Sequence, residues 1–469
     1  MSKIISSKKD FSKWYTSILT EADLVDYGLV KGTIVFKPYA WKIWTNIQKE
    51  LDKELKKLGV ENCCFPLMIP YSEFKKEAKH VEGFAPELFR ITKIGDKELS
   101  DDLVVRPTSE ISFCKYFSLN SKSYNDLPIK LNQWCNVFRV EKNTRPFLRT
   151  SEFFWQETHA IFETKKEAQQ FALDFIHVYE KFLKEALCIP VIVGEKTEYE
   201  RFAGASNTYT IEALMKDGQA LQSGTSHFLD QNFSKNFDIK YQTKDNSFDY
   251  VYQTSHGVST RLIGALIMTH SDDNGLVLPS KIAPYQVVVI TDDVNYFNSQ
   301  IKPTLDSIQD LDYKVDTSNK SLGIRIAKYE VMGVPLQFII GRKEIEDKSV
   351  TIYNRVTKEK KNIKLEQLDK EFITSSLSDL DKTLYNNALN FLNNSIVEVD
   401  NIEEFKKAIN DKKMVLAYWS GSQEDEKKLK ELTQATTRCI CWSKKSLENK
   451  KCFFTNKPDA KLVYFARSY

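Results

Sequence analysis

"NVFRVEKNTRPFLRTSEFFWQETH" runs from Asn136 to His159. It sets Arg139, Lys142, Arg145 and Arg149 among Phe138, Phe147, Phe153, Phe154 and Trp155. Apolar residues flank a basic centre, "EKNTRP", that carries a proline. That pattern predicts two strands of a hairpin buried at its base, with a charged loop reaching toward an anion. Arg139 and Glu141 are two apart, so a continuing strand would put both on one face. Arg149 would then lie on the partner strand. Two guanidiniums can clamp phosphate oxygens in fixed geometry, and a carboxylate can accept from an amino group such as that of adenine. For one hairpin alone, surface ion pairs explain the charges as well.

Working outward, residues 40–58 predict a helix. Trp44, Ile47, Leu51, Leu55 and Leu58 recur at spacings of three and four, and Gly59 follows as a stop. "VENCCFPLMIP" reads as extended, because Pro66 and Pro70 bar a helix. "DDLVVRPTSE" reads as a strand ending in a turn. On the other side, "TKKEAQQFALDFIHVYEKFLKEAL" predicts a helix with a Thr164/Glu167 capping box and a stripe of Phe171, Phe175, Val178 and Phe182. "YTIEALM", "QALQSGTSHFL" and "YVYQTSHGVS" add strands. Strands joined by short returns predict an α+β domain with an antiparallel sheet, covering 1–283. From Pro279 onward short strands alternate with helical patterns, which predicts a small α/β domain over 284–390, closed by a long helix with Leu365, Leu368, Phe372, Leu380 and Leu384. Residues 391–469 form a third, Lys-rich α/β region.

The chain has 469 residues, 42% hydrophobic and 28% charged, with a net charge of +3. That is an ordinary globular balance with room for several cores and no overall polyanion-binding coat. Eight cysteines lie scattered rather than as a disulfide framework. The N-terminus lacks the apolar core of a signal peptide, and no apolar run approaches a membrane span. A cytoplasmic location is expected.

Two further segments carry chemistry. "QSGTSH" puts Gln222, Thr225 and His227 on a small-residue strand, and "SHGVSTRLIGALIM" puts Arg261 at the head of an apolar helix. A cation there opposes the helix dipole unless an anion is bound. Taken singly, Arg261 reads as a surface charge and His227 as a satisfied core histidine.

Together these segments resemble the three signature motifs of class II aminoacyl-tRNA synthetases: "GVENCCFPLMIP", "FRVE…FLRTSEFFWQE" and "GVSTRLIGALIM…GLVLP". "RPTSE", "LPIKLNQWCNVFR", "GTSHFLDQNFSK", "GLVLPSKIAPYQVVVI", "GVPLQFIIG" and the terminal "FARSY" narrow the resemblance to the prolyl-tRNA synthetase family, in its archaeal and eukaryotic-type form. The likeness covers nearly the whole chain.

The resemblance implies a class II catalytic domain, an anticodon-binding domain and a C-terminal domain related to a zinc-binding one. It implies ATP as substrate with Mg²⁺, tRNA(Pro) and proline as partners, and a homodimer through the first motif. Arg139, Glu141, Arg149, Gln222, Thr225 and Arg261 are the implied ATP contacts, with Arg139 and Arg261 catalytic. Thr108, Glu110, Arg139, Trp155, Glu157, His159, His227, Ser259 and Phe84 are implied for proline. Arg342, Lys343 and Glu344 are implied for the anticodon, although a solvated charged turn explains them as readily.

The sequence departs from the family at three points. His256 stands where a tryptophan is usual, which puts one pocket wall in question. About 108 residues separate Arg149 from Gly257, leaving no room for the editing insertion of the common bacterial form. Of the four zinc-binding cysteines of relatives, only Cys452 survives. Ser420, Asp425 and Phe454 take the other places, with Cys439 and Cys441 nearby, so no zinc is expected. The alternatives are a threonyl or glycyl relative of the same subclass and a non-catalytic RNA-binding paralogue; the latter should have lost Arg139, Glu141 or Arg261.

Overall fold

The computed structural model describes residues 3–75 and 88–469. Phe84 lies outside the described residues. Two helices open the chain, α1 (Phe11–Glu21) and α2 (Pro38–Lys57), separated by a hairpin of Val25–Tyr27 and Ile34–Phe36. Pro38 begins α2, where its missing N–H costs nothing, and Gly59 ends it at φ +72. Trp44, Ile47, Leu51 and Leu55 are buried on its inner face, as the spacing predicts.

The first large unit is built on strands β1 (Glu61–Asn62), β2 (Ile129–Phe138), β3 (Glu152–Phe162), β4 (Ile192–Glu195), β5 (Asn207–Leu214), β6 (Gln219–Asp230) and β7 (Tyr252–Ser259). Helices α3 (Glu110–Asn120), α4 (Lys165–Glu185) and α5 (Arg261–His270) belong to the same unit. A separate small sheet pairs Met68–Pro70 with Lys97–Val105, and that strand with Phe89–Ile94. The Thr164 capping box forms as expected: Glu167 N–H donates to Thr164 Oγ1 and Thr164 N–H to Glu167 Oε2, each at 3.2 Å. The centre of the α4 stripe differs. Tyr179, not Val178, is fully buried, and its hydroxyl donates to Gln156 in the sheet.

The next unit is a sheet ordered β9-β8-β10-β11-β12, from β8 (Val287–Thr291), β9 (Tyr313–Asp316), β10 (Leu336–Ile340), β11 (Ser349–Asn354) and β12 (Lys360–Lys364). The first three pair in parallel, with α6 (Leu322–Val331) among the crossover segments. The long helix α7 (Lys370–Ser395) starts later than the leucine pattern suggests. Leu365 and Leu368 sit at a 3₁₀ turn, and Asp369 caps α7 by accepting from Phe372 N–H at 2.7 Å.

The C-terminal region holds β13 (Ile396–Glu398), α8 (Ile402–Asn410), β14 (Met414–Trp419), α9 (Gln423–Thr433), β15 (Thr436–Cys441) and β16 (Lys461–Ser468). Its strands do not form a sheet of their own. Among the described residues they extend the sheet of the first unit, in the order β13-β14-β16-β15-β4-β5-β6-β7-β3-β2-β1. Two joins are made: β15 on β4, with Ile440 opposite Glu195 and Cys441 opposite Gly194, and a short parallel pairing of β16 with β6, with Arg467 opposite Gln219 and Ser468 opposite Ala220. An edge strand with unpaired N–H and C=O groups needs such cover. Ile192, Leu214 and Ala220 of the first unit share an apolar core with Val415, Phe465 and Cys439.

Candidate functional site

Four central strands of the sheet, β5, β6, β7 and β3, present their alternating residues to one cavity of about 300 Å³. Register decides which side chains meet there. Thr225 pairs with Gly257 and His227 with Ser255 across β6 and β7, while Trp155 and Glu157 pair with Ser259 and Gly257 across β3 and β7. The cavity is lined by Thr108, Glu110, Arg139, Trp155, Glu157, His159, Gln222, Thr225, His227, Ser259 and Arg261. All of these were singled out in the sequence. Phe153, Lys196, Phe202, Thr208, Ser255 and His256 also line it. Of these, Phe153 was noted in the sequence as one of the aromatics around the basic centre and His256 as a departure; the others drew no attention.

One end of the cavity is a polar network with its charges met. The buried Glu157 carboxylate accepts from Ser109 N–H at 3.2 Å and Gln133 Nε2 at 2.5 Å, and faces His159 Nε2 at 3.2 Å. Burial works to raise its pKa, but the His159 ring and these donors outweigh that and hold the carboxyl below its usual value. His159 stacks on Phe113 at 4.0 Å between ring centroids. Thr108 donates to the Glu110 carboxylate at the start of α3. His227 Nδ1 meets Thr208 Oγ1 at 3.0 Å, and burial pushes its pKa down to about 3, so the ring is neutral.

The other end is cationic. Arg261 is the first residue of α5, where its Nε donates to Leu148 O at 3.2 Å and Nη1 to Gln222 O at 3.4 Å. Burial, then the neighbouring Arg149 and Arg139 guanidiniums, push its pKa down to about 10. Arg139 donates to Pro107 O at 3.1 Å and lies over the Phe153 and Trp155 rings, 5.5 Å from each. Guanidiniums held this close repel one another, and an anion between them would relieve that repulsion. Ser255 Oγ is buried on the cavity wall with no hydrogen-bond partner among the described residues, and a bound ligand would satisfy it.

The hairpin differs from the expected one. β2 stops at Phe138 and β3 starts at Glu152, so Arg139 and Glu141 lie beyond the strand and Arg149 is not on the partner strand. Arg139 N–H still donates to Ser151 O at 2.8 Å. Beyond that point Pro146 offers no N–H, Ser151 N–H turns to Gly32 O, and Phe147 adopts φ +62. The loop instead closes by a bridge between Arg145 and Arg149. Glu141 and Arg149 therefore stand outside the cavity lining, paired with each other at 3.8 Å.

The wall formed by His256 is well packed. Its ring stacks on Phe175 at 3.9 Å, and its nitrogens meet Ser226 Oγ at 2.8 Å and Thr254 Oγ1 at 2.9 Å. Far from this cavity, Arg342, Lys343 and Glu344 begin a short helix after β10 rather than lining a strand edge. Glu344 caps that helix through Gly341 N–H at 3.0 Å and accepts from Thr351 Oγ1 at 2.9 Å. It is thereby occupied within the fold.

Residues 89–270 match the class II core domain of tRNA synthetases for glycine, histidine, proline, serine and threonine. Residues 286–374 match an anticodon-binding domain, and 402–469 the C-terminal domain of prolyl-tRNA synthetases. A proline–tRNA ligase of Malacoplasma penetrans is 57% identical over the full length of both chains. The chain belongs to the prolyl-tRNA synthetase family. Proline–tRNA ligases of Ureaplasma parvum and Mycoplasma mycoides are 49% and 48% identical, across all of this chain and 99% of theirs. The fold is thus that of a prolyl-tRNA synthetase: a class II core followed by anticodon-binding and C-terminal domains.

Proposed function

We propose that the cavity joins proline to ATP as prolyl-adenylate and then passes the prolyl group to the 3′-terminal adenosine of tRNA(Pro). The observation that carries this reading is the pairing of a cationic end at Arg139 and Arg261 with a network of buried acids at Glu157 and Glu110. Such a site holds a zwitterionic amino acid and a polyphosphate side by side.

In the first step a proline carboxylate oxygen attacks the α-phosphorus, and the bond to pyrophosphate breaks. Arg139 steadies the carboxylate and α-phosphate. Arg261 and Arg149 take up charge on the departing phosphates, and Glu141 reads the adenine amino group once the nucleotide draws the loop in. Gln222 and Thr225 complete the nucleotide contacts. Glu110 and Thr108 receive the proline nitrogen. Trp155, Glu157, His159, His227, Ser259 and, from outside the described residues, Phe84 enclose the ring. In the second step the ribose 3′-hydroxyl attacks the carbonyl carbon and AMP leaves. Positioning and fixed charge supply the rate in both steps.

ATP enters as its magnesium complex. The phosphate end offers arginines, an amide and a hydroxyl, which suit an ion that arrives on the nucleotide's own oxygens. Bound to the nucleotide, magnesium would supply charge neutralisation at the leaving pyrophosphate beside Arg261 and Arg149.

We divide the chain at about 283 and 390, with the middle domain reading the anticodon and the protein acting in the cytoplasm. Among the described residues no helix is long and apolar enough to cross a membrane. A homodimer is supported by exposed apolar side chains on the Val25–Phe36 hairpin and the first motif: Tyr27 at 76%, Val30 at 60% and Met68 at 51%. Alanine, smaller than proline, would be rejected here only by lost contact.

The test is ATP–pyrophosphate exchange with each standard amino acid in turn. Proline should give by far the highest kcat/KM; exchange fastest with threonine or glycine would sink the reading.

A further inference from the structure

Lys196 reaches the cavity wall from the loop after β4, and its side chain is 1% exposed. Its Nζ donates to Glu212 Oε1 at 2.7 Å. Glu212 is fully buried, and its second oxygen accepts from Arg438 Nε at 3.1 Å and Nη2 at 2.8 Å. Arg438 belongs to β15, in the C-terminal region. Thr436 Oγ1 fixes the far side of its guanidinium at 3.1 Å.

Register says which end of the cavity this triad serves. Thr208, Thr210 and Glu212 alternate along β5 on one face, opposite His227, Thr225 and Gln222 of β6. Glu212 is thus at the Gln222 end, where Arg261 donates to Gln222 O. The Arg261 guanidinium is within electrostatic reach of both Glu212 and Arg438. Glu200, which also lines the cavity, lies within reach of Arg438. A buried carboxylate shared by two cations is a weak device for stability alone, because desolvating three charges offsets their attraction. What such an arrangement does supply is fixed placement of an ammonium beside the anion site.

We infer that Arg438, acting through Glu212, is a positioning residue that holds the Lys196 ammonium at the phosphate end of the cavity, and that Lys196 contacts the nucleotide's phosphates. The C-terminal region is thereby part of the catalytic apparatus. This rests on the ATP reading above. No bond is made or broken by the triad; its role is charge and position.

The test uses the full-length protein and the variants Arg438→Gln, Arg438→Lys, Lys196→Met and Lys196→Met with Arg438→Gln. Proline-dependent exchange gives separate KM values for ATP and proline. Calorimetry with a non-hydrolysable ATP analogue reads nucleotide binding without reference to the amino acid. Arg438→Gln should weaken nucleotide binding and kcat/KM for ATP about tenfold, with the proline KM within about twofold of the parent. Arg438→Lys should restore most of that loss. The double variant should be no worse than Lys196→Met alone, as expected of two residues acting in one line. A purely structural Arg438 would instead lower the melting temperature and leave nucleotide binding unchanged. That result, or additive losses in the double variant, overturns the inference. Failure of the proline reading looks different: the parent would show no proline-dependent exchange, while nucleotide binding still responded to Arg438. If Arg438→Gln does not fold, Lys196→Met and Arg438→Lys carry the nucleotide-binding comparison, and unchanged affinity in Lys196→Met overturns the inference by itself.

Discussion

At the Glu157 end of the cavity the buried carboxylate is met by donors within the fold, and Ser255 Oγ alone is left for a ligand among the groups described above; at the Arg261 end the cations crowd together. Glu157 takes donors from Ser109, Gln133 and His159, so its charge is compensated before any ligand arrives. Arg261 is met by two carbonyl oxygens and sits among other guanidiniums. The first end is assembled at the cost of burying a carboxylate, repaid by its hydrogen bonds. The second stores repulsion that only an anion relieves. Stability should therefore depend on the first end, and rate on the second.

The sharpest way to break this contrast is to remove one charge from each end. Arg261→Ala and Arg139→Ala should each cost roughly 3 kcal/mol or more in the barrier to adenylate formation, about a hundredfold in exchange rate. Neither should lower the urea midpoint, because each relieves like-charge crowding. A folded variant with near-normal exchange would remove that arginine from the mechanism. Glu157→Ala should behave in the opposite sense. It leaves Gln133, Ser109 N–H and His159 facing an empty site in a buried network, a loss of about 2–3 kcal/mol in stability. Urea unfolding that matches the parent would show that the network is not what holds this end together.

A smaller effect sharpens the same contrast through pH. Burial pushes the His270 ring down to about 4 and holds His256 well below its usual value. In the unfolded chain each ring titrates near 6.5, so below that pH the unfolded state binds protons the native rings refuse. Stability should fall as pH drops through 6.5 toward 4, by roughly 2 kcal/mol per ring at pH 5. Urea midpoints between pH 7.5 and 5 check this. His270→Gln, which can still donate to Leu187 O, should flatten the slope; an unchanged slope would assign the acid sensitivity elsewhere.

What could be read in the sequence was local. The α4 capping box, the strands around Trp155 and the arginine heading α5 all follow from spacings of a few residues. The loop after Arg139 was harder, because its path depends on Gly32 taking the Ser151 N–H from a distant part of the chain. Arg438 and Glu212 are 226 positions apart; nothing in either neighbourhood marks them as partners. Lys196, in the charged run "EKTEYE" of residues 195–200, looks like any surface lysine until the sheet is assembled around it. Glu344 shows the converse, a charged residue whose capping role was legible only once the helix start was located.

The smallest expected effect concerns what holds the C-terminal region against the sheet, since the cationic end leans on it through Arg438. Zinc-binding relatives would use four thiolates here. In this chain Ser420 and Asp425 stand in two of those places; Asp425 caps α9 by accepting from Ser422 N–H at 2.9 Å. Phe454 stands in a third and stacks on Trp419 at 6.0 Å between centroids. Phe453 lies 4.8 Å from Phe405 and 5.6 Å from Phe465. Cys439, Cys441 and Cys452 are buried, and burial pushes the Cys439 thiol far up, away from the thiolate a metal requires. If the region holds no zinc, this aromatic packing is what holds it together. Protein purified without chelator should hold well under one zinc per chain by elemental analysis, and adding a strong chelator should leave both the melting temperature and the exchange rate unchanged. Stoichiometric zinc, or a chelator-dependent loss of stability, would show that the region is held by metal.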